Sequence, residues 1–235
     1  MRSYGELPRC STCGARDQGL FCSLTGSHLL KLDRQKTAHE YQRGQIIFYE
    51  GNPPLAVYCV YSGVVKLYKA GKNDKRVLIR LLGPGEIIGY RALVADEPYA
   101  ATAEAVETAT ICTISRDTLE SVLADDFEIT MRLMAKLATE LRVSEEQMVT
   151  RTQDPVRQRT ARFLIWLLEN LQHPSKKSSA ISVPLLREEM AQMIGTTPET
   201  LSRILREFAN QGLINLDRKN IEVAKLRPLR RLAGG

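Results

Sequence analysis

Residues 183–214 read "VPLLREEMAQMIGTTPETLSRILREFANQGLI". A short helix is expected over roughly Leu186–Ile194, ending at Gly195. Thr197 can cap a second helix, with Pro198 at its first position. In that second helix Leu201, Ile204, Leu205 and Phe208 fall at i, i+3, i+4 and i+7, the spacing of one buried face. Glu199, Ser202, Arg203 and Arg206 project the other way. Two helices joined by a short glycine-containing turn form a helix-turn-helix. Upstream, a helix through FLIWLLENL ends near His173-Pro174; downstream, LINLD and NIEVAK, joined by Arg218 and Lys219, read as a two-stranded wing.

The exposed face carries groups suited to duplex DNA. Arginine can donate two hydrogen bonds to guanine O6 and N7, and a glutamate can accept from cytosine N4. A carboxylate near phosphates is repelled, so Glu199 makes sense there mainly as a base reader. Glu199, Ser202 and Arg203, flanked by Thr197 and Arg206, are the candidate DNA-contacting residues. On spacing alone, an amphipathic helix pair with a solvated polar face remains the competing reading. Charge leans toward a polyanion: residues 1–150 hold 18 Lys and Arg against 19 Asp and Glu, a net of −1, and residues 151–235 hold 15 against 8, a net of +7.

Before this segment the chain changes character twice. Between about residues 40 and 115, short Val-, Ile- and Tyr-rich runs (QIIFYE, AVYCVY, VVKLYK, RVLIRLL, ATICTIS) alternate with turn signals such as Gly51-Asn52-Pro53-Pro54 and Gly83-Pro84-Gly85. That spacing predicts a small β sandwich, barrel or roll. From near Asp126 to Gln153 the pattern is helical. Phe127, Met131, Met134, Ala138, Leu141 and Met148 form one seam, interrupted at Glu145, with Leu133 and Leu137 in a second stripe to one side. A helix of about 27 residues is ~40 Å long, more than one small domain needs. One stripe is expected to pack on the β unit and the other to meet a second copy of the chain. In a parallel pair Glu145 would face its own copy and weaken association. Asp154-Pro155 then starts a new helix.

No run approaches about 18 consecutive apolar residues, which argues against a transmembrane helix. The opening MRSYGELPRC lacks the apolar stretch of a signal peptide, so a cytoplasmic protein is expected. No metal-hydrolase motif, phosphate loop or nucleophile with a paired base is present, so no enzyme activity is expected.

Taken together, the GPGEIIGY turn, the long helix and the PETLSR segment resemble the CRP/FNR family of bacterial transcription regulators. The resemblance implies an α+β fold with four parts. These are a cysteine-containing arm (residues 1–30), a cyclic-nucleotide-binding-like β-roll (31–125), a dimerisation helix (126–153) and a winged helix-turn-helix (154–235). PETLSR carries the Glu-x-x-Ser-Arg pattern of the FNR branch, which implies a homodimer on TTGA-type inverted repeats and RNA polymerase as a partner. Pro198 stands where that family places a side chain near the outer base pairs. A signalling protein that uses the same roll without DNA is the alternative from another class.

The family's cyclic-nucleotide pocket needs a Gly-Glu-Leu-like stretch and an Arg-Ser pair. This chain has Gly89-Tyr90-Arg91-Ala92-Leu93 and Tyr99-Ala100-Ala101-Thr102 instead. Both the ribose carboxylate and the phosphate arginine are missing, so cyclic AMP is not expected as the ligand. The five cysteines offer another sensor. Cys10, Cys13 and Cys22 are arranged C-x2-C-x8-C, while Cys59 and Cys112 lie on apolar strands. Four thiolates suit an iron–sulfur cluster or zinc alike, and thiol redox chemistry is open as well. Resemblance to the FNR branch implies Cys10, Cys13, Cys22 and Cys112 as ligands of a [4Fe-4S] cluster, although its third spacing is shorter than GARDQGLF. Cys59 is read as a small core hydrophobe. Haem is a weaker alternative, because His28, His39 and His173 sit in no recognisable ligand motif.

Overall fold

The computed structural model describes residues 8–14, 19–21, 23–71, 76–170, 180–182, 185–217 and 220–234. The chain divides into two compact units, one of residues 1–74 and 81–142 and the other of residues 75–80 and 143–235. No helix among the described residues is long and apolar enough to cross a membrane.

The first unit is built on two four-stranded sheets. One has the order β1 (Thr37–Tyr41), β8 (Ala109–Ser115), β3 (Ala56–Ser62), β6 (Ile87–Ile88). The other runs β2 (Ile46–Phe48), β7 (Thr102–Ala105), β4 (Val65–Ala70), β5 (Arg76–Leu82). Side chains alternate across a strand, so β3 and β8 each serve two cores. Val60 and Ile111 join Phe48, Val65 and Ala103 in one buried cluster, which both sheets share. Val57 and Ile114 turn the other way, into a cluster with Leu20, Phe21 and Leu24 of the arm and Leu32, Leu119 and Ile129 of the helices.

Those helices are α1 (Gly26–Gln35), α2 (Tyr90–Ala95), α3 (Arg116–Asp125) and the first half of α4 (Phe127–Gln153). The arm read as ending at residue 30 thus continues into α1, whose Leu32 is buried. Ser115 caps α3 by accepting from the Thr118 N–H at 3.3 Å. Asp126 caps α4 through the Ile129 N–H at 3.2 Å. The two stripes of α4 separate as their spacing requires. Ile129 and Leu133 are buried and Leu137 packs on the same core, whereas Phe127, Met131, Met134, Leu141 and Met148 are exposed.

Gly89 opens α2 with φ +85°, and a Cβ there would stand 3.1 Å from both the Ala56 carbonyl oxygen and the Tyr99 ring. Only glycine suits both conditions. Tyr99 is 4% exposed, stacks on Phe48 at 4.2 Å between ring centroids, and ties the start of β3. Its hydroxyl donates to the Ala56 carbonyl at 2.6 Å and accepts from the Ala56 N–H at 3.2 Å.

The second unit comprises α5 (Val156–Asn170), β9 (Ala180–Ser182), α6 (Arg187–Ile194), α7 (Pro198–Asn210), β10 (Ile214–Asp217), β11 (Asn220–Val223) and α8 (Leu226–Leu232). Leu186 is the residue before α6 rather than its first, and its N–H donates to Glu189 Oε2 at 2.8 Å. The wing has three strands, in the order β10-β11-β9, so the Lys/Ser-rich stretch read as a loop contributes one of them. Leu201, Ile204, Leu205 and Phe208 are all buried, and fully burying such side chains stabilises by about 1.5–3 kcal/mol each.

Replacing Tyr99 by Phe leaves both Ala56 backbone groups without their buried partner. The expected loss is about 1–3 kcal/mol in urea denaturation. An unchanged midpoint would show that the edge of β3 is satisfied without the hydroxyl.

Candidate functional site

The exposed face of α7 begins with Thr197, whose hydroxyl accepts from the Thr200 N–H at 3.3 Å and so caps the helix. Pro198 occupies the first turn, where its missing N–H costs nothing. Glu199, Arg203 and Arg206 are exposed and Ser202 is half-buried, on the side away from the core quartet. The helix's own N-terminal N–H of Glu199 and the Thr197 hydroxyl hold the Glu199 carboxyl below the usual carboxylate range, so it is an acceptor at neutral pH. The five residues singled out from the sequence therefore share one accessible surface.

Two arginines that the sequence reading missed position this surface. The Arg159 guanidinium donates to the carbonyls of Arg151 at 2.5 Å, Asp154 at 3.1 Å and Gly195 at 3.0 Å. It thereby joins the last turn of α4 to the turn between α6 and α7, where Gly195 has φ +74°. Arg157 reaches α7 itself, meeting Glu207 at 3.0 Å and Gln211 at 2.9 Å with its guanidinium 5.6 Å above the Phe208 ring. The only sequence signal was a basic run, RQRTAR, on a helix otherwise read for its apolar face.

The second candidate site lies in the first unit, between the arm and the outer face of β3 and β8. Cys10 starts a 3-10 turn (Cys10–Thr12), and the Cys13 N–H closes it onto the Cys10 carbonyl at 3.4 Å. Cys59 and Cys112 are directly opposed across β3 and β8. All four are free thiols, and all four line one cavity of ≈ 70 Å³ whose remaining wall is largely apolar, including Leu20 and Leu32. The structure thus brings Cys59 to the thiols from which the sequence had separated it. Cys22 lies outside the described residues. His28 is bound elsewhere, its Nδ1 lying 3.4 Å from Asp126 Oδ2, and His173 is outside the described residues.

A single ammonium interrupts the apolar wall. Lys36 is 8% exposed, lines the cavity and pairs with Asp33, whose carboxylate also accepts from the Cys10 N–H at 2.7 Å. Burial works against the charge of both partners. Even so, the Lys36 bond and the Cys10 N–H hold the Asp33 carboxyl below its usual range, and Asp33 holds the ammonium above its own. Burial pushes the Cys10 thiol up to about 11 and the Cys112 thiol up to about 12, with Lys36 opposing both. Burial also raises Cys59, with the neighbouring Cys112, Cys10 and Cys13 adding to the shift.

Soft thiol donors around a desolvated cavity with a fixed cation suit a thiophilic metal centre. Among the described residues, no three His, Cys, Asp or Glu side chains sit at metal-binding spacing. In reduced, metal-free protein, iodoacetamide labelling of Cys10 should keep rising with pH beyond the ordinary thiol value of 9.0 towards about 11, because only the thiolate reacts. Peptide mapping by mass spectrometry reads this, and a plateau at the ordinary value would show that the cavity is hydrated.

The architecture has many relatives. The profile for the cyclic nucleotide-binding domain matches residues 38–126, and that for the Crp-like helix-turn-helix domain matches residues 158–232. The chain is 27% identical over 215 residues to the CRP-like cAMP-activated global transcriptional regulator of Mycobacterium tuberculosis, covering 92% of this chain and 96% of that protein. It is 22% identical to the anaerobic regulatory protein of Aggregatibacter actinomycetemcomitans, over 100% of this chain and 91% of the other. The structure of FixK2 from Bradyrhizobium japonicum superposes with a TM-score of 0.74 at 25% identity, covering 84% of this chain and 96% of that one. These relatives are transcription regulators, not enzymes. With the roll, the long helix and the helix-turn-helix in this order, the chain belongs to the CRP/FNR family of DNA-binding transcription regulators.

Proposed function

We propose that the protein is a redox-responsive homodimeric regulator. It reads TTGA-type inverted repeats through Glu199, Ser202 and Arg203 and senses through its arm cysteines. The observation that carries the sensing half is that Cys10, Cys13 and Cys112, far apart in sequence, line a single cavity. A [4Fe-4S] cluster held by Cys10, Cys13, Cys22 and Cys112 would supply the redox lability. The chain's own part is to anchor the arm through Asp33 and to place the Lys36 ammonium against the thiols. The name of one relative includes cAMP activation. Here the position of the family's ribose carboxylate is Tyr90, 2% exposed, and Phe48, Tyr58 and Tyr99 pack against one another inside the roll. Cyclic AMP is therefore not assigned as the effector.

Dimerisation is supported by the exposed apolar face of α4, where Phe127 is 77%, Leu141 63% and Met148 66% exposed. Glu145 is exposed as well, in the gap of that seam. A second copy aligned along α4 would set two α7 helices for two half-sites. RNA polymerase as a downstream partner and a cytoplasmic location accord with this role.

Arg203→Ala should lose about 1–3 kcal/mol on a TTGA-type inverted repeat in a gel-shift titration, with little change on a scrambled duplex. Equal losses on both would remove Arg203 from base reading. Protein purified without oxygen should carry iron and acid-labile sulfide and absorb near ~400 nm. A colourless preparation holding neither element would end the cluster reading.

A further inference from the structure

Cys59 is the thiol that the proposed function leaves unused. Its position rests on strand register. Opposed residues on antiparallel strands have Cα atoms about 4.5–5.5 Å apart and side chains on the same face. Cys59 faces Cys112 in this way, on the side of the sheet that carries Val57 and Ile114 toward the arm. The arm supplies a matching pair. Side chains three residues apart nearly eclipse in a 3-10 turn, so Cys10 and Cys13 form a second dithiol unit. Both units open on the same cavity, and Cys10 and Cys59 pack against the same core cluster.

From these two facing pairs we infer a tetrathiolate metal site of Cys10, Cys13, Cys59 and Cys112, in which Cys59, not Cys22, supplies the fourth thiolate. The inference rests on the reading that the arm cysteines hold metal, and it changes the ligand set. The donors suit a thiophilic divalent ion such as zinc, or the corners of an iron–sulfur cluster. Binding a divalent ion exchanges four S–H bonds for four metal–sulfur bonds and releases four protons, leaving a centre of charge −2. The Lys36 ammonium on the cavity wall is the counter-charge available to it. Because the sulfurs are not at ligand spacing among the described residues, metal binding closes the arm turn onto the strand pair.

The test titrates cobalt(II) into reduced, metal-free full-length chain without oxygen and follows thiolate-to-cobalt charge-transfer absorbance. Wild-type protein should bind one ion with the intensity of four thiolates, and Cys22→Ser should keep that spectrum and affinity. Cys59→Ser should lose about a quarter of the intensity and at least about tenfold in affinity. A Cys22→Ser chain that loses a thiolate share, or a Cys59→Ser chain that keeps all four, overturns the assignment. The Cys22→Ser result stands whether or not the cavity tolerates serine at Cys59. Iron and sulfide analysis of anaerobic wild-type protein decides the cluster separately. Four-thiolate cobalt binding without native sulfide supports this site and removes the cluster, and no cobalt binding by wild-type protein overturns both.

Discussion

The antiparallel pairing of β3 with β8 is the constraint on which the sensing unit depends. It runs from Ala56 opposite Ser115 to Ser62 opposite Thr110, and its register decides which residues meet. A shift by one residue would turn Cys112 and Ile114 into the inter-sheet core and send Ile111 outward. Because helices and the arm cover the outer face while the second sheet covers the inner one, both faces demand apolar side chains. A thiol can satisfy that demand as a small hydrophobe and still be a ligand, and only the register separates the two roles.

The arm is fastened to this face at several points, and the fastenings lead toward the long helix. Cys10 is tied to α1 through Asp33. On the same helix, His28 approaches Asp126, the cap of α4, and Lys31 pairs with Asp125 at 3.3 Å. The group that orders Cys10 and the groups that touch the start of α4 thus belong to one ten-residue helix. A rearrangement of the arm thiols has a short covalent and polar route to the helix whose exposed seam is the proposed dimer contact. These outer pairs are half-exposed and individually weak, on the order of 0–1 kcal/mol. A weakly held link suits a part that must change state.

What could be read from the chain depended on how local the signal was. The face of α7 was legible because cap, first-turn proline and a four-position apolar stripe all lie within a dozen residues and agree. Helix α1 was hidden inside the arm because GSHLLKLDRQ presents one short apolar patch, with Leu32 its only buried residue. Strand β9 is three residues of a Ser-rich stretch that pairs only because β11 passes alongside. Helix α3 merged with α4 in the sequence because one residue, Asp126, separates them. Cys59 illustrates the limit most clearly. AVYCVY is apolar on both faces, so periodicity cannot say which way the thiol points, and its partner Cys112 is set by non-local pairing.

The same distinction governs the DNA-binding surface. A recognition helix is defined by what it leaves exposed, which the sequence states directly once the buried stripe is known. Its orientation is set by residues that touch no base. Arg159 holds three carbonyls from two separate turns, and Arg157 engages Glu207, Gln211 and Phe208 on the back of α7. Two chemically identical side chains on one helix therefore serve as braces, while Arg203 and Arg206 on the next stand in solvent. The positive charge that marks the last third of the sequence is divided between holding the reader and reading. Net charge points to the partner, but the geometry decides which arginines can meet it.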